Sequence, residues 1–113
     1  MELKVAQRDP NLTRIALAGK LDVEGEGQIG DEFRQIVEES HWNVLVDLSQ
    51  VSYLASLGIR LLFAGAKSLA AVGKRMVVLN PQPMVKETLL NSGTVKLIAI
   101  AQDEDEAKRL LGH

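Results

Sequence analysis

The chain has 113 residues and a formal net charge of -2, with 46% apolar and 25% charged residues. Those proportions are ordinary for a globular fold with one core, so a single domain over residues 1–113 is expected. The charge leaves no electrostatic footprint for nucleic acid or an anionic membrane, and the lack of cysteine excludes disulfides, thiolate chemistry and cysteine metal sites.

The opening MELKVAQRDPN has no signal-peptide core, and no apolar run is long enough to span a bilayer, so the expected location is the cytoplasm. Leu3, Val5 and Gln7 alternate with polar residues, and Asp9-Pro10-Asn11 signals a turn. Thr13 to Gly19 reads as a second strand, predicting an N-terminal hairpin. Ile29, Phe33, Ile36 and Val37 recur at helical spacing and place a helix at roughly 26–39. Val44 to Leu48 is a short apolar strand of the kind buried on both faces. A serine-bearing connection follows, then a long helix that ends near Gly73. Met76 to Leu79 is the next strand. Pro81 and Pro83 open a helix holding Val85, Leu89 and Leu90, which stops near Asn91-Ser92-Gly93. Val95 to Ile100 is the last strand, and Asp103 to Leu111 a short helix with acidic start and basic end. The order β-β-α-β-α-β-α-β-α predicts an α/β fold with a mixed, mostly parallel sheet and about four covering helices.

The long helix is the unusual element. Between Leu57 and Val72 its only charges are Arg60 and Lys67. At about 100° per residue, Ile59, Leu62, Phe63, Ala66, Leu69 and Ala70 form the core face. Arg60, Ala64, Lys67 and Ala71 lie opposite, bordered by Leu57, Leu61 and Ser68. The exposed side is small and partly apolar, which suits docking. Ser56 stands at its start, where its hydroxyl is expected to cap the helix by accepting from Gly58 or Ile59.

Other constellations carry less. Gly25-Glu26-Gly27-Gln28-Ile29-Gly30 is a literal G-x-G-x-x-G, with Asp47 at the distance of a ribose-binding carboxylate. However, Asp22, Glu24, Glu26, Asp31 and Glu32 crowd the turn with the wrong charge for a pyrophosphate, so a mobile acidic loop is the preferred reading. His41 and His113 sit in no nucleophile, metal or acid-base pattern, and no pairing of Asp22 with Asp47 follows from the residues alone. No catalytic residue, cofactor or metal is expected.

The segment Val46-Asp47-Leu48-Ser49-Gln50-Val51-Ser52-Tyr53-Leu54-Ala55-Ser56-Leu57-Gly58-Ile59 resembles the signature of STAS domains, specifically bacterial anti-sigma factor antagonists. Gly19-Lys20-Leu21-Asp22, Gly73-Lys74-Arg75-Met76-Val77-Val78, and Val85-Lys86 through Ser92-Gly93 extend the likeness over nearly the whole chain. The resemblance implies a STAS-type sheet and a partner switch without enzymatic activity. An antagonist of this kind binds an anti-sigma factor that is also a serine kinase and so releases the sigma factor. Phosphorylation at the position matching Ser56 breaks the complex, and a phosphatase resets it. Asp22 matches an aspartate close to that serine, and the implied docking residues are Leu57, Gly58, Arg60, Leu61 and Ala64. Two departures stand out: Ala55 replaces the usual acidic residue before the serine, and Leu57 the usual Ser or Thr after it.

Alternative expectations are a scaffold in a stressosome-like assembly, an accessory subunit of a lipid transporter, or a binder of a small ligand or nucleotide. The apolar helix border would equally suit a homodimer.

Overall fold

The computed structural model describes every residue except His41, Thr94, Val95 and His113, and describes Asp9 in its backbone alone. The readings of both histidines, and of Val95 as the start of a strand, therefore lie outside the described residues.

The elements follow the expected order: β1 (Glu2–Asp9), β2 (Leu12–Leu21), α1 (Val23–Glu39), β3 (Asn43–Leu54), α2 (Ser56–Ala70), β4 (Met76–Leu79), α3 (Pro83–Asn91), β5 (Ile98–Ala101) and α4 (Glu104–Leu110). They build one five-stranded sheet in the order β1-β2-β3-β4-β5. The β1–β2 hairpin is antiparallel and the other three pairings are parallel.

Period-two alternation divides the core between the faces of this sheet. Ile15, Leu17, Val44, Val46, Met76, Val78 and Ile98 pack with Phe33 of α1, Leu62 of α2 and Leu89 of α3. On the opposite face Leu12, Leu45, Val77, Leu79 and Ala101 pack with Ala107 and Leu111, at and just beyond the short α4. No helix of the described residues is long and apolar enough to cross a membrane.

Several features differ from the sequence reading, among them the last strand, which runs over Ile98–Ala101 and leaves Lys96 and Leu97 outside it. The strand expected to stop at Leu48 continues to Leu54, so the supposed serine-bearing connection is strand. Its ladder with β4 ends at Asp47, while β2 stays paired up to Leu54 through two register shifts. At the first shift, Asp47 to Gln50 stands against Ala16 to Ala18, placing one extra residue in β3. The Asp47 carboxylate accepts the Ser49 N–H there at 2.9 Å. These bulges break the alternation that would have marked a strand.

α1 begins at Val23 rather than near residue 26, so the glycine-rich stretch is helix and not a mobile loop. In α3, Val85 and Leu89 are buried but Leu90 is exposed, because nine residues present only a narrow stripe to the sheet.

Candidate partner-docking site

Because β2, β3 and β4 run parallel, the helices that follow them all start at the same end of the sheet. Each start is tied down differently. At α1, Asp22 is the N-cap, and its carboxylate accepts the Gly25 N–H at 2.8 Å. Gly25 is required by close approach: a Cβ there would lie 2.1 Å from the Lys20 carbonyl oxygen. That glycine serves helix–strand packing and leaves no cradle for a phosphate. At α3, Pro83 holds the first turn, and the Gln82 side chain donates to the Ser49 carbonyl of β3 at 3.0 Å.

At α2 the N-cap is Ala55, which offers no side-chain hydrogen bond, and Ser56 is the first helical residue. The expected Ser56 cap is thus corrected. Since β3 runs to Leu54, one residue alone separates strand from helix, and that residue must take the extended cap conformation. The Ala55 carbonyl accepts the Ile59 N–H at 3.0 Å, and its own N–H donates to the Leu21 carbonyl at 2.9 Å. Ser56 therefore stands exposed at the open, positive end of α2.

The Leu21–Ala55 bond also locates Asp22, which directly follows the acceptor as Ser56 follows the donor. The structure brings these two positions together at adjoining helix starts. Asp47 is elsewhere: it pairs with Ala16, five residues before Leu21, or about 17 Å along the strand. No acid pair of Asp22 with Asp47 forms.

Of the expected docking residues, Arg60 and Ala64 are exposed and Leu57 is half-buried, but Gly58 and Leu61 are interior. Leu61 is only 3% exposed, and a Cβ on Gly58 would lie 2.7 Å from Leu21 Cγ. The helical wheel missed this because α2 packs on two neighbours. The sheet takes Leu62, Ala66 and Leu69, and α1 covers the Leu61–Gly65 flank, where a Gly65 Cβ would lie 3.4 Å from Phe33. Ile59 and Phe63, assigned to the core, stay partly exposed, and Ala70 faces solvent.

Three apolar residues at this end escaped the sequence reading. Val23 is the first residue of α1 and is 68% exposed; Met84, second in α3, is 69% exposed. Tyr53, next to last in β3 and opposite Lys20, is 48% exposed. The signal was position for Val23, which opens α1 ahead of its buried stripe, and phase for Met84, which falls beside, not on, the Val85–Leu89 stripe. Exposed apolar residues collected at one end of a sheet mark an interaction surface more than a scatter of single residues does.

The surface is shallow. A cavity of about 220 Å³ beside Asp22, lined by Met1, Lys20, Glu24, Gly25 and Gln28, is smaller than the ~300–1,000 Å³ of small-molecule pockets. Among the described residues no group of three or more His, Asp or Glu side chains could hold a metal ion. The arrangement offers a hydroxyl, a neighbouring carboxylate and apolar rim residues to a macromolecular face.

Comparison with known proteins bears on the fold and the family. The chain is 26% identical over 91 residues to the "Putative anti-sigma factor antagonist BtrV" of Bordetella bronchiseptica, covering 80% of this chain and 78% of that protein. Its fold is similar to the anti-sigma factor antagonist SpoIIAA in its unphosphorylated form, with a TM-score of 0.79, 23% identity, and 99% and 98% of the two chains covered. The phosphorylated form of the Bacillus cell fate determinant SpoIIAA aligns with a TM-score of 0.70 at 22% identity, covering 96% and 99%. An anti-sigma-factor antagonist (STAS) domain protein of Planctomyces limnophilus aligns at 0.83 and 18% identity, covering 98% of each chain. The model of the STAS domain matches residues 4–107, and the chain belongs to the STAS domain family.

Proposed function

We propose that this protein is an anti-sigma factor antagonist whose docking surface is the helix-start end of its sheet. It binds an anti-sigma factor with serine kinase activity and thereby frees the sigma factor, and phosphorylation of Ser56 ends the binding until a phosphatase restores it. The observation that carries this reading is the exposed Ser56 hydroxyl at an uncapped helix start, within a surface that includes Val23, Tyr53 and Met84. Leu57, Arg60 and Ala64 extend that surface along α2.

The physics of the switch is local. A phosphoserine carries about -1.5 to -2 charges. The start of α2 tolerates it, because unpaired N–H groups and the helix dipole favour an anion there by about 0.3–1 kcal/mol. A partner resting its apolar surface on Leu57 and Val23 has to desolvate or repel that charge, and each 1.4 kcal/mol lost costs about tenfold in affinity. Phosphorylation then disrupts docking and leaves the fold intact.

Calorimetry with the candidate anti-sigma kinase tests this. Wild type and Ser56→Ala should bind, and Ser56→Asp should bind at least tenfold more weakly. Equal binding by all three would remove the Ser56 switch, and no binding by any would favour a scaffold or transporter-accessory role. If mass spectrometry after incubation with the kinase placed the phosphate on Ser49 or Ser52, the assignment to Ser56 would be wrong.

A further inference from the structure

The two faces of the sheet are covered unequally. Three helices pack on one face, and among the described residues α4 alone packs on the other. Seven residues give α4 a length of about 10 Å, too short to cover all five strands. Between α4 and the β1–β2 hairpin lies a cavity of about 260 Å³. That is just under the ~300 Å³ at which small-molecule pockets begin, so its occupant has to be small.

Floor and rim differ in chemistry. Leu45 and Ala107 form the floor with Leu12 and Leu111, the two least buried members of the core on this face. The rim is ionic. Glu104 and Lys108 stand one turn apart on the side of α4 that lines the cavity, and Arg14 stands across from them on β2. Arg14 donates to both Glu104 oxygens at 2.8 Å, so those two charges are spent on each other. Lys108 makes no hydrogen bond or ion pair among the described residues. Asp47, whose charge also acts on Arg14, does not line the cavity. One ammonium group is therefore left at the mouth of an apolar recess.

We infer that this cavity binds a small amphiphilic monoanion, a short-chain aliphatic carboxylate whose tail lies on the leucine floor and whose carboxylate meets Lys108. Each methylene placed on the floor raises affinity about fourfold. The Glu104 carboxylate beside Lys108 disfavours a second negative charge, which separates this class from phosphates and dicarboxylates. The site is also remote from the proposed docking surface. Leu12 opens β2 and Leu21 closes it, about 30 Å along the strand, so an occupied cavity leaves the Ser56 end of the sheet open.

Hexanoate is the probe. Its titration into the isotope-labelled protein should move the amide signals of Leu12, Leu45, Ala107 and Leu111 to saturation in the millimolar range. Butyrate, which has the same charge and a shorter tail, should bind about tenfold more weakly, and so should hexanol, which has the tail without the charge. Lys108→Glu should weaken hexanoate binding about tenfold. Arg109→Glu makes the same charge change at an exposed neighbour outside the lining and should leave binding unchanged. Both positions are exposed, so unchanged melting curves would show that neither variant acts through unfolding. The absence of saturable shifts at these four amides, hexanol binding as tightly as hexanoate, or equal weakening by Arg109→Glu would each overturn the inference.

Discussion

The Ala55 N–H donates to the Leu21 carbonyl at 2.9 Å, and this one bond joins the starts of α1 and α2. It ends the β2–β3 pairing at the point where both strands turn into helices, and it sets Asp22 beside Ser56 along the rim. The cap that Asp22 gives α1 is shown by the Gly25 hydrogen bond, whereas a second duty for its carboxylate beside the modification site belongs to the proposed function.

These duties separate by substitution. Asp22→Ala should destabilise the protein by about 1 kcal/mol through loss of the cap to Gly25 N–H. Asp22→Asn should keep the cap, since its amide oxygen can accept the same bond, and cost only a few tenths of a kcal/mol. Urea denaturation of both variants checks this, and equal loss in the two would mean that charge rather than capping stabilises the helix start.

Glycine positions in helices should respond in opposite ways. Helix propensity favours alanine over glycine by about 1 kcal/mol. At Gly27 nothing lies within 4 Å of an added Cβ, so Gly27→Ala should stabilise by about 0.5–1 kcal/mol. At Gly58 the added Cβ meets the Leu21 carbonyl oxygen at 2.7 Å and Leu54 Cδ1 at 2.8 Å, so Gly58→Ala should destabilise by about 1–3 kcal/mol. Thermal melts of the two variants should therefore shift in opposite directions.

Core and docking contributions on α2 should also separate. Leu61→Ala removes a side chain buried against both α1 and the sheet and should cost about 2–5 kcal/mol of stability. Val23→Asp, Met84→Asp and Ala64→Glu alter exposed positions and should change stability by no more than about 0.5 kcal/mol. If the proposed docking surface is right, at least one of these three weakens partner binding tenfold with an unchanged melting temperature. Calorimetry paired with melting curves reads both effects.

The bidentate pair of Arg14 on β2 and Glu104 on α4, both contacts at 2.8 Å, secures α4 to the sheet. The hydrogen bond from Arg14 holds the Glu104 carboxyl below its ordinary value of 4.5. The unfolded chain therefore takes up this proton first as pH falls. The pair's contribution is complete above about pH 4.5 and is lost as pH falls through the folded-state value. Because the Glu104 side chain is 53% exposed, that contribution is under about 1 kcal/mol. Denaturation measured from pH 7 to pH 3 should show a shallower acid decline in Glu104→Gln than in wild type.

The order of strands and helices was legible along the chain because its signals are local. Met76 to Leu79 is a run of apolar residues between turns, Gly73 and Gly93 adopt the positive φ that ends helices, and Asp103 caps α4. The resemblance, carried by the segment around Ser56, pointed to the family on residues alone. What stayed hidden depends on partners distant in sequence. β3 reaches Leu54 because β2 lies beside it, although two bulges spoil its alternation. Ser56 gives up the cap to Ala55 because the longer strand leaves a single linking residue. Leu61 is core because α1 covers a flank that a wheel drawn for one helix leaves in solvent. By itself the sequence determined which elements form and which serine stands at a helix start, since spacing and turn residues act within a few positions. Tertiary structure alone decided which side chains around that serine face outward, because exposure is set by the surfaces that neighbouring elements cover.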